Sequence, residues 1–459
     1  MKKIFFIFFL MIGFRVVAQK QIAVGPLPTQ AQLQWQDMEF YFFAHFGPNT
    51  FTDLEWGKGT EHEEVFNPSH LDCRQWCRVA KEAGAKGIII TAKHHDGFCL
   101  WPSKFSTHTV RESKWKDGKG DVLKELSAAC KEYGLKFGVY ISPWDRNHPK
   151  YGTAEYNDVF VGMMKELFSN YGPITELWWD GANGEGPNGK KQVYDWHRFE
   201  KTVRELSPNT VVFSDIGPDI RWVGNENGIA GKTNWDLLDT AGFTRGYGAP
   251  NTDTLNQGNV NGKNWIPAEC DVSIRPGWFY HASEDDKVKS PEKLFDLYLK
   301  SVGRGANLLL NVPPDRRGLI NEKDEASLIA FKKLRDESFK NNLLKHAIVI
   351  DNNHTNKTTD RKTEVGKMMI LKDPIKLNCL VLREPIQNGQ LIKKMDIILS
   401  NHGTEVKKIS ITTVGRKRII SFPAEEVTEL SFVITNAKAK PQLGNIEGYL
   451  IDEKLIEKE

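Results

Sequence analysis

Apolar residues in this chain fall into short unbroken runs, separated by longer stretches in which they recur every three or four positions. From about residue 38 the runs FYFFAHFG, KGIIITAKHHDG, KFGVYISPWD, TELWWDG, TVVFSD, WIPAECDVS and NLLLNVP are interleaved with DCRQWCRVAKEAG, DVLKELSAACKEYG, YNDVFVGMMKELFSNYG, VYDWHRFEKTVRELSP, SPEKLFDLYLKSVGRG and EASLIAFKKLRDESF. The first set reads as strands and the second as amphipathic helices. The strands are continuous apolar runs rather than alternations, as expected of a parallel sheet buried on both faces. Helices end at glycines such as Gly84, Gly134 and Gly172, where a left-handed cap is needed. Seven or eight such units predict a TIM-like (β/α) barrel, with one helix missing or irregular, over residues 25–345. A doubly wound sheet is the competing arrangement, but no glycine-rich phosphate loop follows any strand.

The texture changes near residue 345. HAIVIDNN, LNCLVLREPI, MDIILSN, KKISITTV and KRIISFP are short β-branched runs with turn residues between them, which predicts a C-terminal all-β sandwich over residues 346–459. The polar segment NNHTNKTTDRKT is expected to join two of its strands. At the other end, Lys2 and Lys3 precede an apolar stretch from Ile4 to Phe14 and then Val16, Val17 and Ala18. That is the pattern of a signal peptide over residues 1–18, so the protein is expected to be exported, to the periplasm or the medium. No later stretch is apolar for long enough to insert in a membrane.

Charge and cysteine content narrow the chemistry. The net charge is +3 with acids and bases interspersed, which offers no extended basic face and makes nucleic acid an unexpected partner. The six cysteines lack metal spacing, and Cys73 and Cys77 lie four apart on a helix, where parallel side chains oppose a bridge; buried free thiols are expected. Thirteen tryptophans are many for this length, as in proteins that stack rings on sugars or bases.

In a parallel barrel the site is built where strands end. His45 ends the first strand, His94, His95 and Asp96 the second, Trp144 and Asp145 the third, and Asp180 the fourth, directly after two tryptophans. One terminal histidine would be unremarkable; polar groups repeated on four strand ends point to a site. Adjacent residues of a regular strand face opposite ways, so His94 and His95 are not expected to share a metal, and neutral imidazoles that hydrogen-bond sugar hydroxyls are the better reading.

FAHFG, AKHHDGF, GVYISPWD, ELWWDG and NLLLNVPPDRRG, in that order over roughly residues 30–340, resemble the α-L-fucosidases of glycoside hydrolase family 29. The resemblance implies a barrel with a C-terminal β-sandwich, retaining hydrolysis of terminal L-fucose from glycans, and no metal or other cofactor. Carried onto this chain, it implies Asp180 as nucleophile, and a fucose pocket built from His45, Glu55, Trp56, His94, His95 and Trp178, joined by Tyr140 and Trp278. For the acid/base, Glu226 in RWVGNENG resembles the branch acting on α-1,3 and α-1,4 linkages, while Glu269 in WIPAEC resembles the broad-specificity branch; Glu226 is preferred. The GVYISPWDRN segment departs from the broader family pattern after its tyrosine, which leaves Tyr140 and Trp144 without a settled role. The rival readings are a sugar-binding barrel that has lost catalysis and an exo-hydrolase for another sugar such as galactose.

Overall fold

The computed structural model describes residues 23–352 and 365–456, so residues 1–18, expected to be a signal peptide, lie outside the described residues. Eight parallel strands close into a barrel in chain order: β1 (Phe40–Ala44), β2 (Gly87–Lys93), β3 (Lys136–Ile141), β4 (Glu176–Trp178), β5 (Val211–Ser214), β6 (Ile220–Trp222), β7 (Ala268–Ser273) and β8 (Asn307–Asn311). Every residue of β1, β2, β7 and β8 is buried, including Glu269 and Asp271 of β7, as expected of a sheet covered on both faces.

Six helices follow strands on the outside: α1 (Cys73–Glu82), α2 (Val122–Tyr133), α3 (Glu155–Asn170), α4 (Trp196–Leu206), α5 (Pro291–Lys300) and α6 (Glu322–Ser338). Five of them start at a side chain that accepts a backbone N–H of the first turn, namely Asp72, Asp121, Asp195, Ser290 and Asn321. Such caps each contribute about 1 kcal/mol. Helix α2 stops at Gly134, whose φ of +66° supplies the left-handed cap. The irregularity falls between β5 and β6, which are joined by a short loop, and after β6, where the connection holds only a short helix, Thr252–Gln257, and a two-stranded ladder.

All six cysteines are buried free thiols, and the sulfurs of Cys77 and Cys130 meet at 3.8 Å between α1 and α2.

The C-terminal domain is a six-stranded antiparallel sheet of β9 (Ile348–Asn352), β10 (Val365–Leu382), β11 (Ile392–Asn401), β12 (Thr404–Ile411), β13 (Arg418–Ala437) and β14 (Ile446–Tyr449), ordered β9-β10-β13-β11-β12 with β14 on the second half of β10. Register shifts interrupt the pairing of β10 with β13 after Ile370 and after Leu377, so these long strands run through as bent ribbons around a core that includes Leu380, Ile397, Leu430 and Phe432. Most of the polar segment expected to join two strands lies outside the described residues; the strands flanking it, β9 and β10, are paired antiparallel.

This domain meets the barrel at the N-terminal end of β1. Glu39, at φ +58°, accepts Lys417 Nζ at 2.7 Å and Arg416 Nη1 at 3.0 Å. Burial alone would raise the Glu39 carboxyl, but the two cations outweigh it and hold it below its ordinary value. Gln390 adds a second tie, accepting from Asp236 N and donating to Asn234 O. Among the described residues the domain contributes nothing to the pocket at the opposite end of the barrel.

Candidate active site

The C-terminal ends of the strands surround a pocket of about 220 Å³ walled by Phe43, His45, Glu55, Trp56, His94, His95, Tyr140, Trp178, Asp180, Ala182, Glu226, Asp271 and Trp278. It is smaller than the roughly 300–1,000 Å³ of sites for drug-sized ligands, as befits entry of one sugar ring. All eight pocket residues expected from the sequence line it, as do Asp180 and Glu226; Glu269 does not.

Asp180 stands two residues beyond the end of β4 with its side chain 24% exposed, open to the cavity while Trp179 is fully buried behind it. Both its oxygens are held: Oδ2 accepts the Tyr140 hydroxyl at 3.0 Å and Oδ1 accepts the backbone N–H of Ala182 at 2.7 Å. His95 Nε2 lies 3.8 Å from Oδ2. Tyr140 therefore acquires a definite position, stacked on Trp178 with ring centroids 5.2 Å apart.

The expectation that His94 and His95 face opposite ways is corrected. Strand β2 ends at Lys93, so the two histidines lie beyond regular strand geometry and both rings line the pocket, 4.2 Å apart. Gly97 makes the turn that follows. Its φ is +88°, and a Cβ there would sit 2.3 Å from Asp145 Oδ1. Asp145 in turn pairs with Lys93 at 3.3 Å inside the protein, behind the histidines. His95 is braced by Ser142 at 2.8 Å and packs on Trp144, which supports the wall without entering it.

Burial holds all three imidazoles neutral. It brings His45 down to about 3 and His95 to about 4, the latter despite the opposing pull of Asp180, and His94 lies well below its ordinary value from burial and then its two histidine neighbours. His45 Nδ1 faces Asn311 Oδ1 at 2.8 Å, while the Asn311 amide donates to Trp278 O and Ser273 Oγ, so the other ring nitrogen of His45 is the acceptor. Glu55 lines the pocket, but its oxygens already take the N–H groups of Trp278 and Phe279 and contact His281 Nε2 at 2.6 Å. It anchors the Trp278 loop as well as facing the cavity. Trp56 is 56% exposed and forms the lip.

The two glutamates are separated decisively. Glu226 follows β6 at the exposed rim, where Trp278 Nε1 reaches its Oε2 at 3.3 Å. Glu269 is fully buried one layer beneath the floor: it accepts Trp178 Nε1 at 2.8 Å and the Tyr41 hydroxyl, and neighbours Glu176, itself held by Trp35 Nε1 at 2.7 Å. Burial raises both carboxyls of that pair. The sequence reading missed Phe43 and Asp271 as pocket walls. Both were accessible by period-two counting, from His45 and from Glu269 respectively. Among the described residues no group of three His, Cys, Asp or Glu side chains is arranged to hold a metal ion.

A parallel barrel carrying a single-ring pocket with aromatic walls, neutral imidazoles and several carboxyl groups, Asp180 and Glu226 among them, at the C-terminal ends of its strands defines a barrel glycoside hydrolase. Residues 28–333 match the family profile described as Alpha-L-fucosidase. Alpha-L-fucosidase 1 of Arabidopsis thaliana is 41% identical over 453 residues, covering 93% of this chain and 88% of the plant protein. The crystal structure of a glycoside hydrolase 29 family member from an unknown rumen bacterium superimposes with a TM-score of 0.86 at 43% identity, over 94% of this chain and 78% of that one. A Ruminococcus gnavus GH29 fucosidase in complex with fucose superimposes with a TM-score of 0.84 at 28% identity, over 96% and 98% of the two chains. The chain belongs to the α-L-fucosidases of glycoside hydrolase family 29. Its activity is that of an α-L-fucosidase, and its substrates are fucosylated glycans. No helix among the described residues is long and apolar enough to cross a membrane.

Proposed function

We propose that the protein is an exported, retaining exo-α-L-fucosidase that removes terminal α-1,3- or α-1,4-linked L-fucose by double displacement, with Asp180 as nucleophile and Glu226 as acid/base. The observation that carries this reading is the contrast between the carboxyl groups: Asp180 and Glu226 line the pocket, whereas Glu269 is sealed beneath it. In the first step Asp180 Oδ attacks the anomeric carbon, the glycosidic C–O bond breaks, and the Glu226 proton passes to the departing oxygen. In the second, Glu226 takes a proton from water, whose oxygen bonds to the anomeric carbon and expels Asp180. Tyr140 and the Ala182 N–H keep the nucleophile's oxygens in a fixed direction, and the neutral imidazoles accept and donate to sugar hydroxyls. Trp56 and Trp278 offer the apolar surface suited to the fucose methyl group and ring face. Glu226 stands at the rim, on the side from which a leaving glycan must project. Export rests on the Lys-apolar-small pattern of residues 1–18.

A panel of α-1,2, α-1,3, α-1,4 and α-1,6 fucosylated oligosaccharides with an aryl fucoside tests the linkage. The expected order places the α-1,3 and α-1,4 glycans first, above all those carrying galactose on the same N-acetylglucosamine. A preference for the aryl fucoside with no linkage discrimination would assign the broad-specificity activity instead. Proton NMR of the first-formed sugar reads the stereochemistry, and release of β-fucose would refute retention.

A further inference from the structure

Asp271 has no part in the mechanism above, yet it stands in the pocket wall. Strand β7 puts Glu269 and Asp271 on the same inward face, one layer apart. Glu269, in the lower layer, is occupied by Trp178 and Tyr41. Asp271, in the upper layer, is 4% exposed and reaches the cavity. Its Oδ1 accepts Trp222 Nε1 at 2.9 Å, and its Oδ2 makes no hydrogen bond to another residue among the described residues. Trp222 lies at the end of β6, four residues before Glu226, whose own oxygen is reached by Trp278. Two indoles thus hold two carboxyl groups on one side of the pocket, and one oxygen of the inner group is left for a ligand. An open carboxyl oxygen in a sugar-sized cavity is suited to a sugar hydroxyl.

We propose that Asp271 is a substrate-binding, specificity-determining residue that hydrogen-bonds one ring hydroxyl of the terminal sugar through Oδ2. The inference rests on the pocket being the fucose site. The direction of the bond follows from the surroundings. Burial first, then the neighbouring Glu269 and Glu226, push the Asp271 carboxyl well above its ordinary range, which favours the neutral acid; in that form it donates to the hydroxyl oxygen while Oδ1 remains the acceptor for Trp222. The sugar is thereby read by a donor on the Glu226 side and by imidazoles on the other.

The test is a binding cycle on the whole enzyme. Inhibition constants are measured for L-fucose and for its 2-, 3- and 4-deoxy derivatives, with wild type, Asp271→Ala, Asp271→Ser and Asp271→Asn. Asp271→Ala is expected to weaken L-fucose by about 10- to 100-fold, the range for a bond whose loss strands a polar partner. For one deoxy sugar, and one only, wild type and Asp271→Ala should bind alike. Asp271→Asn keeps an acceptor for Trp222 and a donor for the sugar, and should recover most of the loss. If Asp271→Ala does not fold, Asp271→Ser, too short to reach the sugar, must show the same single-hydroxyl signature. Unchanged L-fucose binding in the alanine or serine variant overturns the proposal. So does an equal loss for all three deoxy sugars, which marks a structural role, and so does an asparagine variant as impaired as alanine. Asp180→Asn separates the two readings: if it retains turnover, the assignment of the pocket fails, whereas an inactive Asp180→Asn beside a flat Asp271 series removes only the present inference.

Discussion

Tyr140 donates its hydroxyl to Asp180 across 3.0 Å, joining the end of β3 to the loop that follows β4. With the Ala182 N–H on the other oxygen, the carboxylate is held at both ends and cannot rotate away from the cavity. Asp180→Asn or Asp180→Ala is expected to lower kcat on an aryl fucoside by at least about 10³-fold with the fold intact by circular dichroism. Tyr140→Phe removes one charge-assisted bond and should lower kcat by about 10- to 100-fold. An Asp180→Ala enzyme that kept a tenth of wild-type turnover would eliminate it as nucleophile.

Glu226 and Glu269 should respond differently to the leaving group. Without its acid, an enzyme loses more rate on a poor leaving group than on a good one. Glu226→Ala is expected to slow oligosaccharides severely and activated aryl fucosides less, with azide restoring the second step. Glu269→Gln keeps the volume and the bond partners of Trp178 and Tyr41 and should show no such leaving-group dependence. The reverse pattern would exchange the two roles.

Lys93 and Asp145 form an ion pair at 3.3 Å with side chains 0% and 1% exposed. Burial would raise the aspartate, but Lys93 and the His148 and Asn147 N–H groups hold it below its ordinary value. Lys93→Met strands a buried carboxylate and is expected to cost about 3–5 kcal/mol, measured by denaturant unfolding. A loss under about 1 kcal/mol would show that the site admits water freely.

His45 carries a stability signature in pH. Unfolded, it binds a proton near 6.5; folded, only near 3. Between those values the unfolded state holds the extra proton, so this histidine's contribution is full above about 6.5 and is lost as pH falls toward 3. A non-titrating His45→Asn should therefore gain on wild type by about 1.4 kcal/mol per unit of pH lowered between about 6 and 4. A constant difference in stability across that range would mean that His45 titrates normally in the folded protein.

Much of this was readable along the chain. Seven of the eight barrel strands appear as apolar runs, and the expected sugar contacts lie at strand ends or in the loops that follow them. Strand β6 escaped notice because Ile220–Trp222 spans three residues with Arg221 at its centre. That guanidinium is buried by bonding to Leu255 O and Asn234 Oδ1, partners 34 and 13 residues away that no local pattern reveals. The His94–His95 error arose from extending strand alternation two residues beyond Lys93, where the backbone had already turned toward Gly97.

Local sequence determined the alternation of buried strands with capped helices, because burial on both faces requires apolar runs and free helix ends require side-chain acceptors. It also determined which residue types stand at the strand ends. Tertiary structure alone set the depth of the two glutamates. Both follow Asp180 in the chain, and both belong to segments that read as plausible acids. Closing the barrel turns Glu269 inward to a layer saturated by Tyr41 and Trp178, and leaves Glu226 on a loop over the open end. The same closure brings Trp222 to Asp271 across β6 and β7, since depth within a barrel depends on the stagger of neighbouring strands and is not encoded in any one of them.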